Sequence, residues 1–212
     1  MISHSHEDII EEFKLKDTDE HGTNIVRVEI TPPGDNYAMP LNLWRYKLDQ
    51  DIVPNWYDAD KCERRTRRAL EKWHSDHVVL TGKHEFDDRA VIACGDAEVI
   101  IKDKATAVLW DSSRAELWDS SSAVLWDSSS AVLWDSSRAE LRNSSSAELR
   151  NSSSAELLNS SHAVLLNSSH AVLRNSSHAV LWDSSSAVLR DSSSAVLSNS
   201  SSAVLWDSSS AV

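Results

Sequence analysis

From Ala107 onward the chain repeats every eight residues, and this period restricts the possible folds more than any other feature. The units read A-V-L-W-D-S-S-R, then A-E-L-W-D-S-S-S, then A-V-L-W-D-S-S-S. Thirteen of them run from Ala107 to Ser210, and Ala211-Val212 begin another. Val91-Ile92-Ala93-Cys94-Gly95 and Val99-Ile100-Ile101-Lys102-Asp103 keep the same register in degenerate form. A helix does not suit this period. Eight residues at about 100° each overshoot two turns by about 80°, so an Ala/Leu stripe would spiral and never form a face. Helical supercoils use repeats of seven or eleven. Runs of serine favour turns, and a leucine at one place in every unit is not the pattern of a solvated linker.

Variation among the units separates inside from outside. Ala, Leu and the two serines after Asp/Asn never change between Ala107 and Ser210. The residue before Ala is Ser, Arg or His, the residue after Ala is Val or Glu, and the residue after Leu is Trp, Arg, Leu or Ser. The variable sites alternate with Ala and Leu at the strand period of two. Ala and Leu therefore point in, the variable residues point out, and Asp or Asn turns the chain.

One octapeptide is too short to enclose a core. Two give a flattened sixteen-residue coil, and three a triangle of twenty-four. The small inward set (Ala, Leu, Ser) favours sixteen. Residues sixteen apart then stack at about 4.8 Å, and the thirteen units make a rod of roughly 30 Å. The expected fold is mainly β: a parallel β-solenoid of octapeptide repeats over 89–212, preceded by a small α/β capping domain over 1–88. The head is expected to cover the first coil, whose backbone edge would otherwise be open.

The unit D-S-S-S-A-V-L-W resembles the D-S-A-T-V-x-A-Y octapeptides of bacterial and phage repeat proteins. It is also similar, more distantly, to the paired octapeptides of ice-nucleation proteins. The likeness covers about 91–212 and implies a β-solenoid, with a phage-related structural role as one expectation. The outward threonine arrays of the ice-nucleation repeats are absent here.

All four prolines and all four glycines precede residue 96, so a different region comes first. Asn24 to Ile30 alternates as a strand would, and Pro32-Pro33-Gly34-Asp35 is a turn. Asp58 or Asp60 is placed to cap a helix running to about His74. On that helix Cys62, Thr66, Ala69, Leu70 and Trp73 share one face, with Arg64, Arg65, Arg68 and Lys72 largely opposite. Trp44, Trp56 and Trp73 are the candidate core. The segment P-N-W-Y-D…R-R-A-L-E-K-W looks like the head that precedes such repeats in phage-type proteins.

The formal net charge of -12 argues against nucleic acid and anionic membrane as partners. Two cysteines, Cys62 and Cys94, with no secretory signature predict free thiols in a reducing cytoplasm. No run is long and apolar enough to span a membrane.

Four sets of residues invite chemistry, and each has a plainer reading. Stacked Asp111/Asp127 and Asp119/Asp135 would suit Ca²⁺, but glycine-rich nonapeptides are lacking and Asn143, Asn159 and Asn175 interrupt the series. Asx turns, with side chains bonding amides two residues on, are expected instead. The serines lack distinguishing partners and read as corner residues bonding neighbouring coils. His162 and His178 stack on one side and His170 on the other. They read as solvated surface residues, the metal-like cluster His4, His6, Glu7 and Asp8 reads as a frayed terminus, and His74, His77 and His84 are spaced too loosely to make a site. Arg64-Arg65-Thr66-Arg67-Arg68 reads as a solvated helix face with local pairing. No metal, cofactor or catalytic residue is expected, and no enzyme.

The outward aromatics carry the strongest functional expectation. Trp110 and Trp126 share one side with Val108 and Val124; Trp118 and Trp134 share the other with Val132. Regular apolar patches of this kind usually mark interfaces. A non-enzymatic rod that self-associates is expected, with a homo-oligomeric contact through the C-terminal coil at Val204, Trp206 and Val212. The alternatives are a glycan- or polymer-binding module using the Trp ladders, and an ice- or water-ordering solenoid.

Overall fold

A computed structural model describes residues 25–212, together with the backbone of a two-residue pairing between Thr18–Asp19 and Gly22–Thr23. The cluster His4, His6, Glu7 and Asp8 lies outside the described residues. The chain divides into two compact units, one ending at Asp76 and the other beginning at His77.

In the first unit, strand Val28–Thr31 pairs antiparallel with Arg45–Leu48. Helix α1 spans Ala59–His77. Asp58 caps it: its carboxylate accepts from the Lys61 amide at 2.9 Å, satisfying a donor that the first turn leaves free. Leu70 is buried and Cys62, Thr66 and Trp73 are half-buried, but Ala69 is exposed, contrary to its expected place on the core face. The centre of this unit is Trp44, 3 % exposed. Its indole N–H donates to the Met39 carbonyl at 3.0 Å, and Tyr37 and His74 meet its ring edge-on. The Arg67 guanidinium pairs with Glu63 and donates to the carbonyls of Leu41 and Trp44. Trp56 is 56 % exposed, so it is not the core residue expected. It sits in a loop between strand and helix, where nothing in a local pattern fixes its direction.

The second unit is a parallel β-solenoid. One nine-stranded sheet runs from Val78–Val79 to Ser202–Leu205, and the other from Lys83–Phe86 to Ser210–Ala211. Successive strands alternate between the two sheets, so each coil contributes one strand to each. From Ala90 onward partners within a sheet are sixteen residues apart: Ala107 pairs with Ala123, Leu117 with Leu133, and Ala155 with Ala171. The coil size expected from the sequence is thus observed. The ladders begin at Val78, ahead of residue 89, because Val78–Val79 and Lys83–Phe86 pair with the first regular strands although neither follows the octapeptide.

The interior is a leucine ladder. Each leucine from Leu109 to Leu189 that ends a repeat strand is fully buried, with the alanines two residues earlier packed beside it. Full burial of one such side chain contributes about 1.5–3 kcal/mol. The last invariant serine of each corner, Ser113 to Ser193, is also buried. Several bond the carbonyl three residues back, as Ser129 does to Trp126 at 2.7 Å. Ser113, Ser161 and Ser201 additionally reach a carbonyl of the preceding coil.

The corners differ from the expected Asx turns. Asp or Asn stands at φ +49 to +60° at every corner from Asp103 to Asp207, the left-handed region that these two residues tolerate better than most. Their side chains bond along the rod axis: Asn143 to Asp127 at 3.1 Å, Asn175 to Asn159 at 3.1 Å, and Asn199 to Asp183 at 3.3 Å. From Asn151 to Asn199 the following serine is also left-handed, at φ +61 to +68°. There the amides of Ser152, Ser160, Ser168, Ser176 and Ser184 donate to the Asx carbonyl one coil further on, at 3.0–3.2 Å.

Candidate interaction surface

Strand alternation turns every second side chain outward, and the sixteen-residue coil aligns those side chains in columns along each face. The column after the leucine reads Trp110, Trp126, Arg142, Leu158, Arg174, Arg190, Trp206 on one sheet. On the other it reads Lys102, Trp118, Trp134, Arg150, Leu166, Trp182, Ser198.

The four tryptophans singled out from the sequence come together in two pairs. Trp110 stacks on Trp126 with ring centroids 5.0 Å apart and planes 3° from parallel; Trp118 stacks on Trp134 at 4.9 Å and 7°. The Arg142 guanidinium lies over Trp126 at 4.5 Å, and Arg150 lies over Trp134 at the same distance. Each arginine is held by the glutamate two residues before it, Arg142 by Glu140 and Arg150 by Glu148, at 2.5–2.6 Å. Trp126 and Trp134 are therefore covered on both ring faces and offer mainly their edges. Local pairing of Arg142 with Glu140 follows from the alternating charges of Arg138, Glu140 and Arg142, but the placement of the arginines over the rings was not anticipated. Their signal was present: a Trp, Trp, Arg series at intervals of sixteen.

The most exposed apolar side chains of the solenoid lie elsewhere. Trp182 is 39 % exposed, and Val164 and Val196 are exposed beside it on the same sheet. From His162 to Ser198 the outward residues of this face are His, Val, Leu, Trp and Ser, with no formal charge on Asp, Glu, Lys or Arg. Val204, Trp206 and Val212, expected at an oligomeric contact, are 53, 55 and 90 % exposed. Arg190 reaches over Trp206 at 5.8 Å.

Among the described residues the candidate metal ligands do not assemble into a site. His162 and His178 meet edge-on at 6.0 Å, with His178 Nδ1 2.9 Å from the Ser194 hydroxyl. His170 stands on the opposite sheet beside Ser186. His74 Nε2 contacts the Tyr37 carbonyl and His84 Nε2 the Thr81 carbonyl, so these two serve separate local contacts. Among the described residues no three His, Cys, Asp or Glu side chains are grouped to hold an ion. Cys94 is buried against the first coils; desolvation, reinforced by the Asp111 carboxylate, pushes its thiol up to about 12. Such a thiol is inert as a nucleophile. An open groove of about 240 Å³ crosses the outer face of one sheet between Lys83 and Val132, with Glu98, Arg114 and Glu116 along it. Glu98 and Arg114 face each other at 3.5 Å.

No family model, curated protein or solved structure matches this chain. No helix among the described residues is long and apolar enough to cross a membrane.

Proposed function

We propose that the chain is a non-enzymatic structural rod that associates with copies of itself through the outward apolar side chains of its solenoid. The observation that carries this reading is the regularity of the array: from Thr106 to Leu205 every strand has four residues and every corner four, with no inserted loop to build a cleft. Rigid, repeated faces suit repeated contacts. Val164, Trp182 and Val196 are the side chains most suited to such a contact, since burying them removes exposed apolar surface without desolvating a charge, and Val204 and Trp206, the latter beside Arg190, extend the exposed apolar surface on the other sheet. The Trp pairs serve glycan stacking poorly, because a sugar needs a free ring face and those of Trp126 and Trp134 are occupied. The resemblance to octapeptide-repeat proteins of bacteria and phages supports a structural role in that setting.

Light scattering on the full chain tests the reading. The expected mass is at least twice 23.6 kDa. Trp182→Lys with Val196→Lys should lower it while far-ultraviolet circular dichroism keeps the β signal. A wild-type monomer at micromolar concentration would overturn the proposal.

A further inference from the structure

Helix α1 carries a second candidate surface. Lys61, Arg64, Arg65, Arg68 and Lys72 are all exposed. At about 100° per residue they fall within an arc of about 100°, opposite the side bearing Leu70, Thr66 and Trp73, and they extend about 16 Å along the axis. Arg67 points elsewhere and is spent on Glu63 and on backbone carbonyls. Within the arc the only ion pair among the described residues is Lys72 with Asp76 at 2.8 Å. Three like-charge pairs at i,i+4 (Lys61/Arg65, Arg64/Arg68, Arg68/Lys72) and two at i,i+3 destabilise an isolated helix. Carboxylates stand at its margins, Asp60 at i,i+4 from Arg64, Glu71 at i,i+3 from Arg68 and Asp76 beside Lys72, and none falls within the arc. In a chain of net charge -12, a stripe of five cations calls for an anionic partner.

The solenoid presents a matching anion. Asp103, Asp119 and Asp135 follow strands in direct register, so they occupy one corner column, about 4.8 Å apart. All three are exposed, and none has an ion pair among the described residues. Further along this edge Asn151 and Asn167 take the same corner and their amides break the row of charges. Lys104 stands next to Asp103 in the chain and the Lys102 ammonium feels both Asp103 and Asp119, which leaves Asp135 as the least compensated of the three. Charge on the ladder repels itself as charge on the stripe does, and docking one against the other relieves both. A lipid surface fits less well, because the helix has no large apolar side chains beside its cations.

We infer that the cationic stripe of α1 docks on the Asp103/Asp119/Asp135 edge of a second copy of this chain. The contact joins unlike surfaces, so it forms a reciprocal two-fold dimer, a ring or an open chain according to the rotation it imposes. It rests on the self-association proposed above and adds a contact that salt controls.

The test is a charge exchange on the full chain. One variant carries Arg64→Glu, Arg65→Glu and Arg68→Glu. The other carries Asp119→Asn, Ser120→Lys, Asp135→Asn and Ser136→Lys; Asn already serves this corner at Asn151, and Lys104 already follows Asp103 at the equivalent place. Circular dichroism and melting establish that both fold, and the milder pairs Arg64→Gln/Arg68→Gln and Asp119→Asn/Asp135→Asn stand in if they do not. Wild type should show at least a twofold larger mass at 50 mM than at 500 mM NaCl. Each variant alone should lose that difference, and mixing the two should restore it. A mass indifferent to salt and to both variants overturns the inference while leaving association through apolar faces intact. A monomer at both salt concentrations overturns both. Binding of a single-stranded oligonucleotide that the first variant abolishes, without salt-dependent assembly, overturns the inference in favour of a phosphate partner.

Discussion

Trp126 is held between Trp110 on one side and Arg142 on the other, one coil away in each direction. The contact joins three coils through side chains outside the core. The same sandwich recurs on the opposite sheet around Trp134, so both faces of the rod are tied at the same level. The outward aromatics are thus structural as well as exposed, and their loss affects stability before it affects any partner.

A double-mutant cycle measures this coupling. Trp126→Leu and Arg142→Met should each destabilise the solenoid, with an interaction energy of about 0.5–1 kcal/mol between them, typical of a cation–π contact that is partly exposed. Chemical denaturation of the four proteins gives the number. Strict additivity would show that the guanidinium merely covers the ring.

Inside and outside should differ sharply in their tolerance. Leu149 is fully buried, so Leu149→Asp places an unpaired carboxylate in the leucine ladder and should unfold the middle coils. Val196→Ser on the exposed face should stay within about 0.5 kcal/mol. Arg150→Ser falls between, costing about 1 kcal/mol, because Arg150 lies over Trp134 and pairs with Glu148. Equal losses at Leu149 and Val196 would contradict the packing.

The left-handed corners make an ordering of substitutions. Asn175 is at φ +54° and its amide donates to Asn159. Asn175→Ala should cost about 1–2 kcal/mol from the backbone alone, plus the hydrogen bond. Asn175→Gly, which keeps the backbone at ease, should recover most of it. Ser176, at φ +62°, should accept glycine with little loss or a small gain. Melting temperatures of the three variants check the order.

Cys94 ties stability to alkaline pH. Its thiol is raised in the folded protein from 9.0 to about 12, chiefly by desolvation. A raised value means that the folded state favours the protonated form. The resulting stability is fully present below the ordinary thiol pKa and is lost as pH rises from there towards about 12. Wild type should therefore lose melting temperature faster than Cys94→Ala across that interval. A thiol reagent at pH 8 should reach Cys94 only after unfolding.

Much of the solenoid was legible from one chain because its units serve as their own comparison. Invariant Ala107, Leu109 and Ser113 against variable Val108, Trp110 and Arg114 reveal side-chain direction. The size of the inward residues then selects a two-strand coil. The stacking of Trp110 on Trp126 and of His162 near His178 follows from that register alone. The Asx corners were located correctly, but their bonding was not. A local rule counts amides two residues away, whereas the nearest partner of Asn175 is Asn159, sixteen residues earlier.

The sequence by itself determined the period, the register and the inward ladder, because a strict repeat in a parallel stack brings like residue onto like residue. Tertiary structure decided what depends on neighbours unlike one another. Arg142 caps Trp126 only because the series changes residue at that coil. The serine after Asn151 turns left-handed where its amide can reach Asn167 in the next coil. Val78–Val79 and Lys83–Phe86 join the ladders without the octapeptide, since backbone pairing to Ala90–Ala93 and Glu98–Ile101 requires only an open strand edge and no particular side chain.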